Sequence, residues 1–593
     1  MMSKAASRKL GMGIVGIMGT MVVATTSCSG LTPERKPSSE LKAVNKKVRV
    51  IALTDFHGAL ENESANTKNG LPVRYSGASL LSAYVNKLRS IDDTPTVVID
   101  AGDLFQGTMI SNSAEGRPVI EFYNYLGVDA ATIGNHDFDY GPEGEAIVPK
   151  RPSDDPRSAL KARIHQARFP FLAANIRDKD GNIPDWAKPT TMISRGGVRV
   201  GVIGIASVRT RDTTILQNVA DLSFIDPVPV IIEQSRLLRE QGADFIVVSA
   251  HSGGGCKDNR EEKQRDLSSC DPSELFDMTR ALPSGTVDLV LGGHTHQGVV
   301  KYLPTPVMQN YAKGAYVGWA ELSASASGPS IVQLHGPVKV CGEVVNSKKG
   351  PSCEPYDIKA STEAPVQASF LGAKVVADAQ VSALLKSDVD RVQAIKSAPL
   401  GIKVEQTMAR DYYNETSLGN FMADVYFDYF KDSVDLVVLN NGGFRENLSP
   451  GDLTYGDIFS VMPFDNKLAI MTVDGKTVRR MVEIGISRKD GGLSWSGLTF
   501  TASQCKAENI AVHSAPLDEN GTYRVLTADF VATGGVGFSE LKLLNSQIRI
   551  LDDQPVMRDV MADAIRKLKP STAAGHYFDS AHPRQIIRVL CSP

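Results

Sequence analysis

The chain has 593 residues, too many for one ordinary core, so two large domains are expected. At 42% hydrophobic and 22% charged, with 51 glycines, it has the profile of a globular protein rather than a disordered or fibrous one. Lys plus Arg total 64 against 67 for Asp plus Glu, and no basic tract occurs beyond the extreme N-terminus, which argues against a dedicated nucleic-acid binder.

The chain opens with a basic stretch, Lys4, Arg8 and Lys9, followed by an uncharged run from Leu10 to Ala24 rich in Gly, Met, Ile and Val. That run falls short of the roughly 20 residues that span a bilayer, so a signal peptide is expected over 1–28, with an uncleaved anchor as the alternative. It ends in Thr25-Thr26-Ser27-Cys28, which resembles a bacterial lipobox, although Thr25 stands where an aliphatic residue is usual. Cys28 would then be lipidated and first in the mature chain. Residues 29–47, polar, charged and Pro-containing, suit a tether.

Six cysteines remain besides Cys28: Cys256, Cys270, Cys341, Cys353, Cys505 and Cys591. An even number suits disulfides in an oxidising compartment. Sequence neighbours suggest Cys256–Cys270 and Cys341–Cys353, leaving Cys505–Cys591, among the fifteen pairings that six cysteines permit. The expectation is an exported protein, in the periplasm or at the cell surface, touching a membrane only through a lipidated N-terminus. The oligomeric state is left open.

From Val48 onward, short apolar β-branched runs recur, each followed by a Gly- or Asp-containing loop. They are Val48 to Leu53, Thr96 to Ile99, Ala130 to Ile133, Val198 to Ile205, Phe245 to Val248 and Val287 to Leu291. Continuous runs of this kind suit strands buried on both faces. Ser79 to Arg89 and Val230 to Gln241 have helical spacing between them. This gives an α/β domain over 48–357. Ser361 to Ser397 has few glycines and a helix-like spacing, a connecting helix within a linker at 358–398. A smaller α/β domain follows over 399–593, with a helix at Leu418 to Phe430 and strands at Leu436 to Leu439, Lys467 to Val473 and Tyr523 to Thr527.

Five polar clusters stand at the ends of the N-terminal strands. They are Asp55-Phe56-His57-Gly58, Gly102-Asp103, Gly134-Asn135-His136-Asp137-Phe138-Asp139, His251-Ser252-Gly253-Gly254 and Gly292-Gly293-His294-Thr295-His296. Ligands of open α/β sheets bind outside the carboxyl ends of strands, so clusters far apart in sequence can converge there. Asp, His and Asn offer oxygen and imidazole donors suited to Zn, Mn or similar divalent ions. Any one of them alone is more often a hydrogen-bonded loop residue or a turn Asp. Recurrence after strand upon strand is what points to metal.

DxHG, GD, GNHxxD, a strand-terminal His and GHTH, in this order, resemble the calcineurin-like metallophosphoesterases, and the chain is similar to the bacterial periplasmic 5′-nucleotidase/UDP-sugar hydrolase family. The resemblance implies a layered αββα-type domain with two divalent metal ions, one held by Asp55, His57 and His296, the second by Asn135, His251 and His294. Asp103 would bridge them. It makes His136 the catalytic His, oriented by Asp139. His296 stands where nucleotidases often have Gln or Asn.

In the second domain the resemblance maps substrate contacts onto Asn440 and Arg445 of Asn440-Asn441-Gly442-Gly443-Phe444-Arg445, and two base-stacking rings onto Phe464 and Phe530. From the residues alone, both Phe would more often be core. The chain has Val536 where many members carry a ribose-binding Asp. It has Tyr412, Tyr413 and Asn414 where a phosphate-binding Arg is usual, with Arg410 the nearest Arg. The implied activity is hydrolysis of a 5′-nucleotide to nucleoside and phosphate. Its alternatives are a UDP-sugar, a 2′,3′-cyclic nucleotide or a thiosulfohydrolase-like ester, and, more remotely, a non-catalytic surface binding protein.

Overall fold

A computed structural model of the chain describes residues 46–144, 146–324, 331–487, 491–551, 554–568, 571–572 and 577–589. The expected signal segment, Cys28 and all but the end of the tether lie outside them.

Each apolar strand buries both of its faces, in different cores. In Lys46–Leu53, Val48, Val50 and Ala52 point one way and Ile51 and Leu53 the other. In Val198–Ile205, Val200 and Val202 share the core of the first set, while Ile203 and Ile205 enter a third. Two six-stranded sheets therefore pack face to face over a common apolar layer. The first runs Ile331–Lys339, Tyr316–Ala324, Lys46–Leu53, Thr96–Asp100, Ala130–Thr132, Phe171–Leu172. The second runs Val299–Leu303, Thr305–Gln309, Leu289–Gly292, Phe245–Ala250, Val198–Ile205, Thr190–Arg195. Helices Ala78–Arg89 and Arg117–Leu126 cover the first sheet, and Pro227–Glu240 and Glu274–Ala281 the second. This is the expected αββα layering.

The inner strands of both sheets are parallel. Their carboxyl ends therefore open on one edge, and each polar cluster follows such an end. The sheets are pinned there by polar contacts: Thr132 Oγ1 donates to Ser249 O at 2.9 Å, and Ser249 Oγ to Asp100 O at 3.0 Å.

The expected helix at Ser361 to Ser397 forms only over Ala379–Lys396. The preceding stretch pairs instead as short strands around Gly372, whose φ of 76° breaks a helix. Val381, Leu385 and Val392 of the helix join the core under the first sheet, so it is packed there rather than free. The C-terminal part has its own core around a mixed sheet, Leu493–Ser496, Leu436–Asn440, Thr522–Ala528, Leu468–Asp474, Ile548–Ile550. Helices Ser417–Phe430, Gly475–Ser487 and Met557–Ile565 pack on it.

Disulfides join Cys256–Cys270 and Cys341–Cys353. Cys505 is also disulfide-bonded, and Cys591, its expected partner, lies outside the described residues. Among the described residues, no helix is long and apolar enough to cross a membrane.

Candidate active site

The strand-end clusters converge on two groups of donors. Asp55, His57 and His296 form one, and Asp103, His251 and His294 the other, each with ligand atoms within 4.8 Å of one another. Asn135 Oδ1 joins the second group, 3.0 Å from His251 Nε2 and 2.9 Å from His294 Nδ1. Asp103 lies between the groups: its Oδ2 is 3.1 Å from His251 Nε2 and 3.6 Å from His57 Nε2. That oxygen is buried with no hydrogen-bond partner among the described residues. A buried carboxylate oxygen without a donor costs free energy unless something else completes its shell.

Five of these side chains are carried by left-handed backbone: Asp55 (φ 49°), His57 (49°), Asp103 (59°), His294 (80°) and His296 (55°). For residues other than Gly this costs roughly 1–2 kcal/mol each, and such strain clusters at functional sites. Backbone hydrogen bonds enforce it. Asp55 N donates to Gly102 O at 2.9 Å, His57 N to Asp103 O at 3.0 Å and Lys313 N to Asp55 O at 2.7 Å. Gly134 is required by close approach, since a Cβ there would overlap the Asp103 carboxylate.

Neighbouring carbonyls set the imidazole tautomers. His57 Nδ1 donates to Gln106 O at 2.6 Å and His251 Nδ1 to Ala101 O at 2.9 Å, which leaves each Nε2 facing the centre. Burial pushes His57 and His294 down to about 3, so both are neutral and offer a lone pair. Burial likewise raises Asp55 to about 7. Burial also opposes charge on His251, yet the Asp103 carboxylate outweighs it and lifts that imidazole to about 10. Imidazoles, carboxylates and an amide oxygen, with no thiolate, fit a pair of divalent ions such as Zn or Mn.

His136 stands beside the first group, its ring centre 5.6 Å from that of His57. Its Nδ1 donates to Asp139 Oδ2 at 2.7 Å. Burial disfavours its charged form, but Asp139 and then Asp103 overcome this and raise it above its ordinary value.

The C-terminal residues reach this centre unequally. Phe464 does so directly, 5.4 Å from the His136 ring between centres, and the Arg445 guanidinium lies 5.5 Å from the Phe464 ring. Arg445 is close enough to both metal groups to feel Asp103 and Asp55. Arg410 is exposed, donates to Phe444 O at 3.3 Å and is close enough to repel Arg445. Asn440 lies over Gly443, while Asn441 locks the turn by donating to Asn414 O at 3.1 Å and accepting from Ser494 Oγ at 2.7 Å. Tyr412 covers Gly442. Phe530, half-buried, packs one side against Gly535 and the C-terminal core. It makes no ring contact with Phe464 among the described residues. Val536 is itself left-handed (φ 49°, ψ 37°).

Three residues near the centre carry no local sequence signature. Gln106 Nε2 and Asn112 Nδ2 both donate to Pro463 O, at 3.0 and 2.8 Å, fixing the loop that bears Phe464. Thr214 Oγ1 donates to Asp139 Oδ1 at 2.6 Å. Asp137, inside a quoted motif but given no role there, accepts from Leu104 N and Gly134 N and braces two strand ends.

Residues 48–298 match the calcineurin-like phosphoesterase family, and residues 392–543 match the 5′-nucleotidase C-terminal domain. The chain is similar to protein UshA of Yersinia enterocolitica, 25% identical over 469 residues, covering 76% of this chain and 80% of that one. It is 26% identical over 535 residues to a snake venom 5′-nucleotidase of Naja atra, covering 84% and 92%. Its fold resembles the crystal structure of a 5′-nucleotidase precursor from Thermus thermophilus, with a TM-score of 0.70 at 21% identity, over 92% of this chain and 100% of that one.

Proposed function

The chain belongs to the 5′-nucleotidase family of metallophosphoesterases, hydrolases of phosphate esters, and from that premise we propose that it cleaves a 5′-nucleotide to nucleoside and phosphate. The observation that carries the proposal is the meeting of two donor groups with Phe464 and Arg445 over one centre.

In this reading Asp55, His57 and His296 hold one divalent ion and Asn135, His251 and His294 the other, with Asp103 shared. When bound, such a pair lowers the pKa of a water and neutralises phosphoryl oxygens. The protein's own residues do the rest. His136, oriented by Asp139, donates a proton from its Nε2 to the leaving 5′ oxygen as water adds to phosphorus and the P–O bond breaks. Arg445, with Arg410 behind it and Asn440 in the same turn, offsets the charge of the phosphate. Phe464 supplies one stacking face for the base, and Phe530, whose other side is taken by Gly535, the second.

We further infer export. Two disulfides and a disulfide-bonded Cys505 support an oxidising compartment. Lipidation of Cys28 is the proposed anchor, to be tested by mass spectrometry of the mature N-terminus.

The function is tested by assaying purified protein against 5′-nucleotides, a UDP-sugar, a 2′,3′-cyclic nucleotide, thiosulfate esters and p-nitrophenyl phosphate, with Mn, Zn or Mg. Preference for 5′-nucleotides is expected. Turnover of a sugar nucleotide or cyclic ester alone would replace the substrate while keeping the centre.

A further inference from the structure

Both carboxylate oxygens of Asp139 are engaged. Oδ2 accepts from His136 Nδ1 at 2.7 Å, and Oδ1 accepts from Thr214 Oγ1 at 2.6 Å. Thr214 is 3% exposed, so water does not compete for its hydroxyl. It arrives from a different part of the chain, on extended backbone (φ −134°, ψ 179°) just after the one-turn helix Thr210–Thr213. That helix is held by Thr210 Oγ1 donating to Ser207 O at 2.7 Å and by Thr214 N donating to Thr210 O at 3.2 Å.

The preceding residue acts on the metal side. Asn135 Nδ2 donates to Thr213 O at 3.0 Å, which turns Asn135 Oδ1 toward His251 and His294. Consecutive residues of one turn thus orient an amide donor and the carboxylate behind the catalytic His. The turn Gly535–Leu541 of the C-terminal part, which contains Val536, packs against the same short helix. A carboxylate with one partner can rotate about its Cβ–Cγ bond. A second, charge-assisted donor fixes its plane, and the plane fixes the imidazole. A buried threonine beside a loop is more often a packing residue, but packing alone does not ask for a 2.6 Å bond to a carboxylate.

We propose that Thr214 is a positioning residue of the reaction, locking Asp139 so that His136 meets the leaving oxygen. The inference rests on the proposed hydrolysis, with His136 as the proton donor.

The test uses the full metal-loaded chain with Thr214→Val, which keeps shape but not the hydroxyl, Thr214→Ser, which keeps the hydroxyl, and Thr214→Ala as a second deletion. On a 5′-nucleotide, Thr214→Val and Thr214→Ala should lower kcat about tenfold, a fraction of what a general acid contributes, with KM and metal content nearly unchanged. On p-nitrophenyl phosphate, whose leaving group needs little protonation, the loss should stay below about threefold. Thr214→Ser should recover most of kcat. In an Asp139→Ala background, Thr214→Val should add little, as expected for residues in one chain of contacts. Unchanged kcat in Thr214→Val, equal losses on both substrates, no recovery by Thr214→Ser, or additive losses would each overturn the proposal. A wild-type protein that hydrolyses neither substrate would instead defeat the proposed function.

Discussion

Phe464 and His136 come from different halves of the chain, yet their rings lie 5.4 Å apart between centres with planes 38° from each other. A base stacked on Phe464 is thereby tied to the proton donor for its own 5′ oxygen. Phe464→Ala should lower kcat/KM for a nucleotide by roughly 5- to 150-fold, the equivalent of about 1–3 kcal/mol per stacked base. Phe530→Ala should do likewise. Hydrolysis of p-nitrophenyl phosphate should suffer far less. If the nucleotide-to-nitrophenyl ratio is the same in wild type and both variants, neither ring reads the base.

Asp103 lies within reach of both donor groups. Asp103→Ala should leave less than about a tenth of wild-type turnover, where tenfold is about 1.4 kcal/mol, because each ion loses a ligand. Elemental analysis should find fewer than two divalent ions per chain, with the circular dichroism spectrum unchanged. Full metal content with full activity would sink the dinuclear reading.

Pro463 O accepts two amide donors, from Gln106 and Asn112. Losing one leaves the carbonyl bonded, so Gln106→Leu or Asn112→Leu alone should have a small effect. Losing both orphans a buried acceptor at a cost of about 1–3 kcal/mol and frees the Phe464 loop. The double variant should therefore show a raised KM for nucleotides that exceeds the product of the single effects, a departure from additivity read directly from steady-state kinetics.

Val536 is β-branched and left-handed, a combination that only tight surroundings maintain. Val536→Asn should raise unfolding stability by about 1 kcal/mol in denaturant titrations, by relieving backbone strain. Val536→Asp should also increase discrimination between a ribonucleotide and its 2′-deoxy form, which the wild type is expected to treat nearly alike. A destabilised Val536→Asn would show that packing of the valine side chain outweighs its backbone cost.

The strand cores were legible because burial on both faces of a parallel sheet writes itself into a short run such as Val198–Ile205, and the polar residue that ends the run marks the edge of the sheet. The expected helix at Ser361 to Ser397 was overdrawn because helix-like spacing persists through residues that pair as strands once Gly372 has turned the chain. Thr214, Gln106 and Asn112 left no trace. Each reaches the site through a side-chain bond to a partner 75 to 357 positions away, and such bonds impose no period and no local composition. The same holds for the Phe464–His136 contact, which needs the fold before it can be seen.

The left-handed backbone at Asp55, His57, Asp103, His294 and His296 also bears on how these positions can change over evolutionary time. Metal chemistry admits Asp, Glu, His, Asn, Gln and Cys, but a positive φ is comfortable only for Gly, Asn, Asp and, to a lesser degree, His. Where both filters apply, the shared alphabet shrinks to Asp, Asn and His. Drift that trades one metal for another is therefore biased toward three letters at Asp55, His57, Asp103 and His294. Glutamate, chemically the nearest neighbour of aspartate, is the substitution that the backbone disfavours.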